Sequence, residues 1–313
     1  MLMLREDSTV RHASCLIQSH KRHRAARCVQ RHAFAAVRLY RRLKSAPIFS
    51  NDQPALTIRR SSWPHREAAS MTWSILARDA HGHFGVAIAS RFFAVGALCV
   101  HTRRGVGALA TQALMNPLYG SAGLDLLSAG HSANEVVLAL TATDAGREHR
   151  QLHVVPARGA AAAHTGSSCI DWCGHSPFDD FSVAGNMLAG PQVLAATAQA
   201  YVAAAGQPLA QRLLAAMAAG EAAGGDKRGK QAAALRIHAD EEYPQLDLRV
   251  DDHAEPIAEL HRLYQKSLER YLPFTACLAG RHDSVGLTDR AQIELRVEAH
   301  LAAQHTQAKP TTP

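Results

Sequence analysis

MTWSILARDAHGHFGVAIAS, residues 71–90, is the stretch that decides the fold. Trp73 to Arg78 alternates as a strand does, Asp79-Ala80-His81-Gly82 is a turn signal, and Gly85 to Ser90 continues as a second short strand. The segment predicts a β-hairpin. Downstream, Gly96 to His101 and Val106 to Ala113 predict two further strands of apolar and small residues, separated by the turn Arg103-Arg104-Gly105. Pro117 and Gly120 then punctuate the chain before Ala122 to Ser128 and Ala133 to Leu140, which have helical spacing. The second of these has Ser132 as N-cap and Glu135 at N3.

Arg150 to Val155 and Gly159 to Thr165 predict another hairpin, and Phe181 to Gly185 a strand entering a Gly-Asn turn. Gly190-Pro191 opens a helix through Tyr201, and Leu209 to Ala219 is a second helix. Ala232 to His238 and Leu246 to Val250 complete the strands, followed by an amphipathic helix over Pro256 to Leu272 and a later one over Asp289 to Ala303. Blocks of strands alternating with helix pairs predict an α+β fold, two packed antiparallel sheets with helices outside. They disfavour the strict βαβ alternation of a doubly wound sheet.

The charge is uneven. Residues 1–70 carry 14 Lys+Arg against 4 Asp+Glu, a balance of +10, leaving 20 basic and 23 acidic residues, a balance of −3, for the rest of the 313. The basic segment lacks a sustained apolar period and does not build a core. It reads as a basic arm for nucleic acid, as an Arg-rich presequence, or as sequence outside a working protein that starts at Met71. The abrupt change of composition at Met71 points to the third, so no nucleic-acid partner is expected. The chain divides accordingly into a basic extension (1–70), a domain (71–272) and a C-terminal helical tail (273–313).

No apolar run approaches the roughly 18 residues a membrane helix needs. Six cysteines in 313 residues are too sparse for a disulfide scaffold, which makes the cytoplasm the expected compartment. Gly224 to Gln231 (GGDKRGKQ) nearly matches a phosphate-binding loop, but it stands in the order helix, loop, strand, and Gln231 replaces the Ser or Thr that holds magnesium. Gly105 to Ala110 satisfies a loose dinucleotide fingerprint with no helix after it. Cys169, Cys173 and His175, with His164 nearby, supply only one knuckle of a zinc site. The expectation is therefore no metal and no cofactor.

Thr72 follows Met71 at the start of the first strand. A hydroxyl is a weak nucleophile unless a base takes its proton, and a residue's own α-amine, with a pKa of about 7.7–8.0, can serve when that residue is N-terminal. Removal of Met71 exposes Thr72. The alternative reading is a β-branched residue opening a strand.

From Met71 to about Tyr271 the sequence resembles a bacterial and archaeal family of uncharacterised proteins, a domain of unknown function placed among the N-terminal nucleophile (Ntn) hydrolases. The resemblance is carried, in order, by MTWSILARD, GVAIASRFFAVGA, GVGALATQAL, RQLHVV, AAAHTG, GNMLAGP and GGDKRGKQ. It implies a four-layer αββα sandwich and hydrolysis of a small amide or peptide-like substrate through an acyl-enzyme. Thr72 is then the nucleophile and Asn186 an oxyanion donor, with Ser90, Arg91, Gln112 and Thr165 orienting the amine or binding substrate. Asp226, Lys227 and Arg228 order a charged part of the site. Each also has a plainer reading: a turn residue for Asn186, a solvated strand end for Arg91, satisfied backbone for Gln112 and Thr165, and a salt-bridged loop for the triplet. A non-catalytic ligand-binding sandwich is the alternative function, and the helices 256–272 and 289–303 are as ready to pack a second copy, as a homo-oligomer, as the core.

Overall fold

β1 (Thr72–Arg78) and β2 (Phe84–Ser90) form the hairpin expected from residues 71–90, closed where Arg78 pairs with Phe84. Asp79 holds the turn: its Oδ1 accepts from the backbone N–H groups of His81 and His83, both at 2.9 Å. Gly82 supplies the left-handed position at φ 81°. The computed structural model describes residues 72–307, all within one compact unit. The basic extension 1–70 lies outside the described residues.

The remaining strands are β3 (Val100–Arg103), β4 (Gly107–Ala113), β5 (Arg150–Pro156), β6 (Ala162–Thr165), β7 (Trp172–Pro177), β8 (Phe181–Leu188), β9 (Ala232–His238) and β10 (Leu246–Val250). The α-helices are α1 (Leu118–Ser128), α2 (Ala133–Ala142), α3 (Gln192–Ala203), α4 (Leu209–Ala222), α5 (Pro256–Glu269), α6 (Tyr271–Thr275) and α7 (Arg290–Gln307). One sheet runs β10-β9-β2-β1-β8-β7 and the other β3-β4-β5-β6. Every pairing is antiparallel, so the class is α+β, with two antiparallel sheets and seven α-helices among the described residues.

The twofold period of a strand assigns each face of β1 to a different core. Trp73, Ile75 and Ala77 join Ala87 and Ala89 of β2, Tyr201 of α3, and Leu213 and Met217 of α4. Leu76, on the opposite face, joins Phe84, Val86 and Ile88 of β2 with Ala108 and Ala110 of β4 and Val155 of β5, so this core lies between the two sheets. Leu109, Leu152 and Val154 turn the far face of the smaller sheet toward Tyr119 and Leu124 of α1 and Val136 and Leu140 of α2. The α2 capping box forms as the sequence predicts, with Glu135 N–H donating to Ser132 Oγ at 3.3 Å and Ser132 N–H donating to Glu135 Oε2 at 2.8 Å.

Several expected boundaries move. The strand expected over Gly96 to His101 is a 3₁₀ turn, Val95–Ala97, followed by β3 from Val100. Gly96 cannot accept a side chain, because a Cβ there would run into Ala234 of β9. β8 continues through Asn186 to Leu188, so Asn186 is a strand residue and the Gly-Asn turn is absent. β7, unforeseen in the sequence, adds an edge to the larger sheet and contains Cys173 and His175. The helix expected over 256–272 breaks at Arg270 into α5 and α6, and Arg270 Nη1 donates to Glu294 of α7 at 2.7 Å. Among the described residues no helix is long and apolar enough to cross a membrane.

Leu213 is fully buried where α4 meets β2, so Leu213→Ala should lower the unfolding free energy by about 2–5 kcal/mol. Leu118→Ala, at a position 74% exposed, should change it by less than about 0.5 kcal/mol. Urea denaturation followed by circular dichroism measures both.

Candidate functional site

The site grows from the first residue of β1. Thr72 lies opposite Ser90 of β2 on one side and Asn186 of β8 on the other. Strand alternation turns its side chain to the same face as Ser74 and Leu76, toward the second sheet. Thr72, Ser90 and Asn186 are all buried. Thr72 Oγ1 donates to Ser90 Oγ at 3.1 Å, and Ser90 Oγ also accepts from the Phe92 N–H at 2.9 Å.

Behind these three residues a polar chain crosses between the sheets. Asn186 Nδ2 donates to Gln151 Oε1 at 3.1 Å, and Gln112 Nε2 donates to the same oxygen at 2.6 Å. Gln151 Nε2 faces Gly185 O of β8 at 2.9 Å, Gly174 O of β7 at 3.0 Å and Thr165 Oγ1 at 2.8 Å. The Thr165 hydroxyl also lies 2.8 Å from His175 Nδ1.

The direction of the chain fixes a tautomer. Ser74 Oγ donates to Gln112 Oε1 at 2.9 Å, so it accepts from His153 Nε2 at 2.9 Å, and His153 Nδ1 accepts from Ser182 Oγ at 3.1 Å. Burial, with a smaller contribution from His175, pushes the His153 pKa down to about 3, so the ring is neutral near pH 7. Each member of the chain is bonded, which is what keeps polar groups inside a protein tolerable.

Backbone strain marks both amides. Ala113, after Gln112, has φ 63°, and Met187, after Asn186, has φ 55°. Left-handed backbone without glycine costs about 1–3 kcal/mol per residue and gathers where a side chain must be aimed.

A charged cluster occupies the loop between α4 and β9. Asp226 pairs with Leu188 as an isolated bridge, and its Oδ1 accepts from the Arg228 N–H at 2.7 Å. Arg228 Nη2 lies 3.6 Å from Asp226 Oδ2, and Arg91 donates a guanidinium bond to the Arg228 carbonyl. Lys227 does not join: it turns to Asp171, 3.9 Å away, with both side chains about half exposed.

The expected residues thus fall into three sets. Thr72, Ser90 and Asn186 share one register, Gln112 and Thr165 connect to them through Gln151, and Asp226, Arg228 and Arg91 form the adjoining cluster. Ser74, Gln151, His153 and Ser182 were missed. The signal for two of them was RQLHVV, where Gln151 and His153 alternate with Leu152 and Val154 in a strand buried from Gln151 onward. Cys169 is a poor nucleophile, since burial and the neighbouring Cys173 push its thiol up to about 11. Among the described residues no group of three or more His, Cys, Asp or Glu is placed to hold a metal ion.

Residues 72–260 match the model of a family of unknown function, DUF1028. The crystal structure of protein SPO2555 from Silicibacter pomeroyi, a DUF1028 protein, is similar, with a TM-score of 0.65 and 33% identity over 70% of this chain and 96% of that one. Anbu (ancestral beta-subunit) from Yersinia bercovieri aligns over 63% of this chain and 94% of its own at 12% identity, with a TM-score of 0.32. No curated protein matches the chain.

His153 yields a pH prediction. Its folded pKa of about 3 lies below the ordinary value of 6.5, so an unfolded chain binds the extra proton first as pH falls. The stabilisation is complete above about pH 6.5 and is lost as pH drops toward about 3. Urea unfolding at pH 7 and 4.5 should show a loss of up to about 3 kcal/mol from this group, and His153→Gln should flatten that slope.

Proposed function

The chain belongs to the family of unknown function DUF1028, and from the geometry of its own site we propose that it is an Ntn-type amidohydrolase whose nucleophile is Thr72. The observation that carries this reading is the register at the start of β1, which sets a buried Thr hydroxyl between Ser90 and the amide-bearing Asn186. In the proposed reaction the chain begins at Thr72. The α-amine takes the proton of Oγ1, and Oγ1 attacks the carbonyl carbon of a small amide or peptide-like substrate. The second N–H of Asn186, whose first is held by Gln151, stabilises the oxyanion. As the C–N bond breaks, the α-ammonium returns its proton to the leaving amine. Water, deprotonated by the α-amine, then attacks the Thr72 ester, and the α-ammonium returns that proton to Thr72 Oγ1 as the acid is released.

Helices against the outer face of each sheet, with an apolar core between the sheets, support the finer description of a four-layer αββα sandwich. The three cores draw on residues from Trp73 to Tyr264, so a chain starting at Thr72 retains them. A non-catalytic ligand-binding role on the same fold is the outcome if no turnover depends on Thr72.

The test is a screen of the Thr72-start chain against an amide and dipeptide library. The active substrate should be hydrolysed with Thr72→Ala reduced by at least about 10³-fold and Thr72→Ser retaining measurable turnover. The chain bearing residues 1–71 should be inactive. Full turnover by Thr72→Ala, or equal rates with and without residues 1–71, would contradict the mechanism.

A further inference from the structure

β1 starts at Thr72 and β2 ends opposite it at Ser90, but β8 on the other side runs on to Leu188. The pairings Thr72↔Ser90 and Thr72↔Asn186 place the next register step between Arg91 and Met187. The α4–β9 loop is laced across that place. It bridges β8 at Leu188 through Asp226, and its Gln231 N–H donates to Ser90 O at 2.9 Å. Gly225, left-handed at φ 46°, lets the loop close against the Trp73 ring.

The carboxylate is delivered into a dry position. The Asp226 side chain is 1% exposed. Its Oδ1 takes the Arg228 N–H, whereas its buried Oδ2 has no hydrogen-bond donor among the described residues, only the Arg228 guanidinium at 3.6 Å. Other nearby cations are committed elsewhere: Arg91 donates to the Arg228 carbonyl, Lys227 faces Asp171, and Lys230 pairs with Glu221 and Glu255. Burying a carboxylate is costly unless it is both paired and hydrogen-bonded. An oxygen without a donor, on the loop residue that bridges β8 two positions beyond the partner of Thr72, calls for a cationic donor there.

We propose that Asp226 is the ion-pair partner of the α-ammonium group of a chain that begins at Thr72, holding the amine in line with β1 and beside the Thr72 hydroxyl. This rests on the reading of Thr72 as the N-terminal residue and gives the glycine-rich loop a definite task, recognition of the protein's own new terminus. Asp226 is a positioning residue, acting on the base and not on the substrate. Burial pushes the Asp226 carboxyl above its usual range, against the opposing effect of the Arg228 and Arg91 N–H groups and the Arg228 charge, and an ammonium partner relieves that penalty. The pairing stabilises the protonated amine, so its half-protonation pH should rise.

Nitrogen-15 NMR of the Thr72-start chain, labelled at threonine, reads this directly through the pH titration of the α-amine. Asp226→Asn should lower the half-protonation pH by about 1 or more; an unchanged titration in a folded Asp226→Asn protein would overturn the proposal. If Asp226→Asn does not fold, as judged by circular dichroism, the unaltered sequence decides. The Asp226 carboxyl, followed by carbon-13 NMR, should titrate at lower pH in the Thr72-start chain than in the chain bearing residues 1–71, and equal titration in the two would overturn the pairing. Hydrolysis enters neither readout. An amine that responds to Asp226→Asn without any substrate turnover upholds the pairing and sinks the hydrolase reading, whereas Thr72-dependent turnover with an indifferent amine does the reverse.

Discussion

The carboxamide of Gln151 ties the two sheets together. Its nitrogen reaches the Gly185 and Gly174 carbonyls in the larger sheet, and its oxygen accepts Gln112 from its own sheet and Asn186 from the opposite one. A neutral hydrogen bond contributes about 1 kcal/mol net, but a buried donor left without a partner costs about 1–3 kcal/mol. The constraint is therefore one of completeness more than of strength: with every group bonded, the polar end of the inter-sheet space is fixed, and the amide of Asn186 is fixed with it. The neutral His153 ring extends the same order to Ser182, at the far end of the chain.

That polar end sits beside an apolar one. Leu76, Phe84, Val86, Ile88 and Val155 fill the remainder of the space between the sheets. Strand alternation alone separates the two uses of β1. Its odd residues Trp73, Ile75 and Ala77 face the helices, and its even residues Thr72, Ser74 and Leu76 face the other sheet. The left-handed backbone at Ala113 and Met187 fits this division, since each follows an amide that must point inward at a strand end.

The hairpin of residues 71–90 was legible because turn chemistry and strand period agree there. The helix over 133–140 was legible because Ser132 and Glu135 make a local cap. What escaped depends on distant partners. Gly96 packs against Ala234, so apolar residues that looked like a strand became a tight turn under β9. β7 carries polar Cys173, His175 and Ser176 on an edge and has no periodic signal. Thr72 is legible from its place after Met71 and Asn186 from the resemblance, but only the β1–β8 register brings them together. Gln151 and His153 lie in a strand expected only as one arm of a hairpin, because sequence spacing does not reveal which face of a strand meets a second sheet. Lys227 was grouped with its neighbours by adjacency, yet the loop turns it outward toward Asp171.

The account stands on Thr72 as a nucleophile that works only from a chain end. Covalent trapping measures that most directly: treat the Thr72-start chain and the chain bearing residues 1–71 with an acylating β-lactone, then locate the adduct by tandem mass spectrometry. The predicted result is one adduct, on Thr72 of the Thr72-start chain, and no adduct on the longer chain. Labelling at Cys169 or another side chain in place of Thr72, or equal labelling of Thr72 in both chains, would contradict it.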